Sequence, residues 1–110
     1  MTPEQRIEAF RKLVEQRPQD PFARYSLAMS YRSAGRDEDA ARELEELARR
    51  DAGYVPTYLM LGQVLEALGR GDGAARAYES GLGAASRANN EHARSELQRA
   101  LETLRTRGAG

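Results

Sequence analysis

Cysteine is absent from the 110 residues, and with it go disulfides, thiolate metal sites and cysteine nucleophiles. That lack is compatible with a reducing compartment. Tryptophan is missing too, aromatic residues make up only 6%, and histidine occurs once, as His92. Neither sign of charge is in excess: Lys+Arg and Asp+Glu stand at 17 each, so no net basic field draws the chain to nucleic acid or to an anionic membrane. No apolar run approaches the roughly 20 residues of a membrane span. The first residues, Thr2 to Gln16, are charged and helical in pattern, unlike the apolar run of a signal peptide. These absences set the expectation of cytoplasmic residence, with neither membrane nor nucleic acid as a partner.

What is present is arginine, alanine and a repeat. Lys12 is the only lysine, a bias that a GC-rich genome explains as readily as arginine chemistry. With 40% hydrophobic and 31% charged residues, the chain fits one compact, soluble domain with a modest core. The stretch Leu27–Glu45 recurs at Leu61–Glu79: Gly35 matches Gly69, Arg36 matches Arg70, Ala40 and Ala41 match Ala74 and Ala75, and Arg42 matches Arg76, always 34 residues apart. Self-similarity at such a period marks a solenoid, in which each unit buries its apolar face against its neighbours.

Helical signals fill the chain. Thr2, Pro3 and Gln5 form a capped start, Ile7, Phe10, Leu13 and Val14 share one face, and Pro18 closes the helix. Asp20 and Pro21 start a second helix, with Ala23, Leu27, Ala28, Tyr31 and Ala34 as its stripe and Gly35 as its stop. Asp37 is the expected N-cap of a third, which turns Ala40, Ala41, Leu44, Leu47 and Ala48 inward and frays near Asp51 to Gly53. Pro56 opens a fourth, carrying Tyr58, Leu61, Gly62, Leu65 and Leu68 up to Gly69. Asp72 is expected to cap a fifth, with Ala74, Ala75, Tyr78 and Leu82 facing inward. Asn90 caps a sixth, from Glu91 to about Arg105, where Ala93, Leu97, Ala100, Leu101 and Leu104 align; the tail Gly108–Gly110 is expected to be disordered. No strand pattern intervenes, so the fold class is all-α.

These residues resemble the tetratricopeptide repeat family, in the form of its small stand-alone bacterial-type members, whose 34-residue signature is aromatic-x2-L-G-x2-Y, then A-x3-F, then P. One unit offers Leu27, Ala28, Tyr31, Ala40 and Leu44, and the next Tyr58, Leu61, Gly62, Leu65, Ala74 and Tyr78. Arg24 stands where the first aromatic belongs, and Ala52 and Ser86 replace the closing prolines. Phe10 and Pro18 match the second half of an earlier unit, with Arg6 in place of its small alanine. Leu97 and Leu101 match a later unit after two extra residues, and Gln98 on its small site makes that helix a cap. The resemblance implies a right-handed α-α superhelix within one domain, 1–107: half repeat 2–18, repeats 21–54 and 55–88, and capping helix 91–105.

It also implies a concave wall built from the first helix of each pair. In this register the wall carries Phe22, Tyr25, Met29 and Arg32, then Leu59, Gln63 and Glu66, then Ser95, Arg99 and Glu102, each set on one helical stripe. The partner-binding residues expected are Phe22, Tyr25, Met29, Arg32, Leu59, Gln63, Glu66 and Arg99. Members that bind chaperone tails use a basic and amide clamp where Tyr25 and Met29 stand here, so that clamp is not expected.

Other strings have plainer readings. Asp37, Glu38 and Asp39 suit helix capping better than a cation site, and Gly69, Gly71 and Gly73 lack the strand and the Lys-Ser/Thr pair of a phosphate loop. Arg70-Gly71-Asp72 spells an adhesion tripeptide by chance, and His92 reads as a surface residue. No catalytic, cofactor or metal residues are assigned. The function expected is non-enzymatic: an adaptor or scaffold holding a peptide or helix of another protein in the groove. The alternatives are a self-assembling module, such as a homodimer using the same apolar residues, and a minor RNA-binding role through Arg49, Arg50, Arg105 and Arg107.

Overall fold

The local signals decide where each helix begins. The Thr2 hydroxyl accepts a hydrogen bond from the Gln5 backbone N–H at 3.1 Å while the Gln5 side chain takes the Thr2 N–H at 2.8 Å, a closed capping box. Asp20 accepts from the Phe22 N–H and Asn90 from the Ala93 N–H, each at 3.0 Å. The computed structural model describes residues 1–109. It contains α1 (Pro3–Gln16), α2 (Pro21–Ser33), α3 (Asp37–Arg50), α4 (Pro56–Ala67), α5 (Gly71–Arg87) and α6 (Glu91–Ala109), with no strand among the described residues.

Two starts differ from expectation. Arg36 and Arg70, not Asp37 and Asp72, occupy the N-cap positions of α3 and α5, and neither helix has a side-chain cap. The preceding turns explain why. Gly35 and Gly69 adopt φ of +77° and +76°, and the N–H groups of Arg36 and Arg70 return to the carbonyls of Tyr31 and Leu65 at 2.9 and 2.8 Å. A left-handed residue followed by that bond leaves one residue before the next helix, so the aspartates fall inside the first turn, where their charge favours the helix dipole. The last helix also runs past Arg105 to Ala109. Of the tail expected to be disordered, Gly108 and Ala109 continue α6 and Gly110 lies outside the described residues.

Each helix packs against the next in sequence, and α4 also touches α6, which gives a body of 40 × 31 × 20 Å. Contact between sequence neighbours is how a solenoid builds one continuous core from units that have none alone. The expected stripes supply most of it: Leu27, Ala28, Ala40, Leu44, Leu61, Ala74, Leu97 and Leu101 are buried. Helix α5 is buried on a wider face than its sequence suggested, adding Ala77, Gly81, Ala84 and Ala85, because α4 and α6 cover it from two sides. Large side chains such as Leu44, Leu47 and Tyr78 are fully buried, each contributing about 1.5–3 kcal/mol of transfer free energy.

A two-cavity furrow between three helices

Helices α2, α4 and α6 present their flanks to one side of the stack, and the furrow between them holds two adjoining cavities. The first, of about 400 Å3, is mainly apolar: Tyr25 from α2, Val55, Leu59 and Met60 at the start of α4, and Ala93 and Leu97 from α6. Tyr25 is held by the ring of Tyr54, edge-on with centroids 6.1 Å apart, and burial pushes its phenol above the usual range. His92 and Asn90 stand at the rim, with the His92 Nε2 3.3 Å from Glu96.

The second cavity, of about 450 Å3, lies further along α4 and α6 and is polar, with Arg32, Gln63, Glu66, Tyr78, Arg99 and Arg107 around it. Arg32 donates from one guanidinium nitrogen to Gln63 Oε1 and approaches Met60 Sδ, both at 3.0 Å. Glu66 accepts from the Tyr78 hydroxyl at 2.5 Å and from Arg107 at 3.1 Å, which ties α4 to α5 and to the last turns of α6. Burial, reinforced by that carboxylate, raises the Tyr78 pKa far above that of a free phenol. Leu59, Gln63 and Glu96 border both cavities, so the two form one groove, apolar at one end and cationic at the other.

Six of the eight residues expected to bind a partner meet here: Tyr25, Arg32, Leu59, Gln63, Glu66 and Arg99. Phe22 is 61% exposed and borders neither cavity, and Met29 lies in a separate depression of about 250 Å3 beside Phe10 and Arg6. Met29 corresponds to Gln63 one repeat later. Gln63 is met by Arg32 of the preceding hairpin, whereas beyond Met29 there is only the flank of α1. Ser95 and Glu102 border neither cavity; α6 turns Glu96, Arg99, Ala100 and Thr103 inward instead, a rotation of about one residue. Met60, Tyr78, Glu96 and Arg107 were not expected on the wall. Met60 and Glu96 hold equivalent places one residue before the repeat leucines Leu61 and Leu97, and that match was a signal available in the sequence.

The other candidate motifs are occupied by ion pairs. Asp39 pairs with Arg36 and Arg42, Glu38 with Arg70, and among the described residues no three His, Asp or Glu side chains gather as metal ligands. The arginines considered for phosphate all face carboxylates: Arg49 and Arg50 pair with Glu46, Arg105 with Glu79 and Arg107 with Glu66. No helix among the described residues is long and apolar enough to cross a membrane.

The Tetratricopeptide repeat family model matches residues 2–86. The chain belongs to the tetratricopeptide repeat family. A tetratricopeptide repeat-containing protein of Pseudomonas aeruginosa is 30% identical over 103 residues, which cover 91% of this chain and 98% of that relative. The solution structure of a tetratricopeptide repeat domain protein from Salinibacter ruber superimposes with a TM-score of 0.76 at 37% identity, covering 79% of this chain and 88% of the other. The crystal structure of PcrH in complex with the chaperone binding region of PopD gives 0.85 at 20% identity, covering 93% and 77%. In tetratricopeptide terms, α2–α3 and α4–α5 are the two full repeats of a right-handed superhelix, α1 is a half repeat and α6 is the capping helix.

Proposed function

We propose that this tetratricopeptide protein is a non-enzymatic adaptor that holds a short segment of another protein in the furrow between α2, α4 and α6. The observation that carries the reading is the pair of adjoining cavities, with Tyr25, Leu59 and Met60 offering an apolar seat to solvent at positions that a globular surface normally makes polar. PcrH, which shares this fold, has been solved with a segment of a partner, and the reading extends that mode to this chain. The setting it assumes is the cytoplasm, in keeping with a chain that uses no cysteine. The test is affinity capture from native extract with wild type and with Tyr25→Ala/Leu59→Asp. A double variant of unchanged helicity is expected to lose the specific partners of wild type, and retention of all of them would remove the groove from the account.

A second reading is self-assembly. It is favoured by Met29, 44% exposed and beside α1, and by Phe22, both apolar and both outside the furrow. Sedimentation at several concentrations separates the readings: a Met29-dependent dimer supports self-assembly, and a strictly monomeric chain leaves the adaptor reading alone.

A further inference from the structure

Two arginines of the groove have no carboxylate of their own. Many arginines of the helices are matched, as Arg24 with Glu43, Arg42 with Asp39, Arg50 with Glu46, Arg70 with Glu38 and Arg105 with Glu79, while Arg6, Arg76 and Arg87, outside the furrow, pair with none among the described residues. Arg32 and Arg99 face the same cavity, and neither has an Asp or Glu oxygen within 4.0 Å among the described residues. Arg32 is half-buried and bonded only to neutral groups, Gln63 and Met60. A guanidinium that has given up part of its water for neutral partners binds an anion more strongly than a fully hydrated one. Of the opposing charge nearby, Glu66 is already engaged by Arg107 and Tyr78, and Glu96, which borders both cavities, lies 3.3 Å from the His92 Nε2.

The cationic end lies at a fixed distance from the apolar one. Ala93 borders the apolar cavity and Ala100 the cationic one, seven residues along the same helix, or roughly 10 Å at 1.5 Å per residue. Extended chain covers that span in about three residues, and a helix in about seven.

We infer that the segment held in the groove is acidic as well as apolar. A bulky aliphatic or aromatic side chain enters between Tyr25, Leu59 and Met60, and an Asp or Glu side chain, about three residues away if extended or about seven if helical, pairs with Arg32 and Arg99. The inference rests on the adaptor reading and names the chemistry of its ligand. The anion is taken to be a side chain, the form in which the same cavity holds Glu66 between Arg107 and the Tyr78 hydroxyl, and a chain terminus is the alternative that the test separates.

The test is a positional-scanning library of short acetylated, amidated peptides, read by fluorescence polarisation against wild type, Arg32→Ala, Arg99→Ala and Leu59→Asp, each checked for helicity by circular dichroism. Selected peptides are expected to combine one bulky apolar residue with one acid at the stated spacing, and Arg99→Ala to weaken them about tenfold. Changing the acid of the best peptide to its amide reports on the same contact without touching the protein, and is expected to cost a similar factor. Arg99→Glu is expected to move selection toward Lys and Arg. Peptides chosen for apolar residues alone, indifferent to Arg32 and Arg99, would overturn the acidic requirement and leave the groove standing. Binding that appears only with a free C-terminal carboxylate would overturn the side-chain source. A library from which nothing binds, or whose binders ignore Leu59→Asp, would overturn both the inference and the adaptor reading.

Discussion

Arg24 on α2 donates a hydrogen bond to Glu43 on α3 at 2.8 Å, with only 12% and 25% of the two side chains exposed, at the positions that Tyr58 and Ala77 fill one repeat later. The arginine that breaks the aromatic signature is therefore half of an exchange. One unit joins its helices with an ion pair, and in the other a tyrosine and a small residue take the two places, both buried, with the Tyr58 hydroxyl donating to the Ala52 carbonyl at 2.6 Å. Removing one member of a partly buried pair leaves the other unsatisfied, so Arg24→Ala and Glu43→Ala are each expected to cost about 1–3 kcal/mol. The combined Arg24→Tyr/Glu43→Ala copies the second repeat and is expected to recover most of the loss. Denaturant melts of the singles and the double check this as a cycle.

A second exchange lies deeper. The ring of Tyr78 fills the space that a side chain at Gly62 would take, so a Cβ at Gly62 overlaps the ring, whereas the first repeat pairs Ala28 with Leu44 at the equivalent positions. All four residues are buried. Gly62→Ala is expected to destabilise by about 1–3 kcal/mol through overpacking. Gly62→Ala/Tyr78→Leu, which restores the first repeat's pairing, is expected to melt above Gly62→Ala alone. A double variant that melts below both singles would show that the repeats do not share this packing.

Alkali is expected to unfold the protein through its tyrosines. Burial is the leading cause holding the Tyr78, Tyr25, Tyr54 and Tyr58 phenols protonated, with the Glu66 carboxylate reinforcing it at Tyr78. Each folded-state pKa lies above the unfolded value of about 10, so above that pH the folded chain binds more protons than the unfolded one. Their contribution is fully present below about pH 10 and is lost as the pH rises through the folded-state values. The melting temperature is expected to fall steeply above about pH 10, and less steeply in Tyr78→Phe. Thermal melts at stepped alkaline pH check this, and an unchanged slope in the variant would absolve Tyr78.

Thr57 is fully buried, and its hydroxyl has no hydrogen-bond partner among the described residues. Its repeat equivalent, Ala23, is equally buried and carries no polar atom. Replacing an unsatisfied buried hydroxyl by a methyl of similar shape removes its desolvation penalty, so Thr57→Val is expected to stabilise by about 1 kcal/mol. A lowered melting temperature would mean that the hydroxyl has a partner after all.

The sequence by itself determined the helices, their order and the 34-residue register. These rest on caps, left-handed glycine turns and apolar spacing, all of which act within a few residues. Helical spacing put each set of wall residues on one stripe, and the resemblance to the tetratricopeptide family told which stripe faces the furrow, where Tyr25, Leu59, Gln63, Arg32, Glu66 and Arg99 are found. Tertiary structure decided the rest. Which arginine finds a carboxylate depends on helices brought together from 19 to 41 residues apart, as in Arg24 with Glu43 and Arg107 with Glu66, and no local pattern encodes that distance. The rotation of α6, the parting of Met29 from the groove and the compensation between Gly62 and Tyr78 are likewise outcomes of packing, in which each side chain takes the room its neighbours leave.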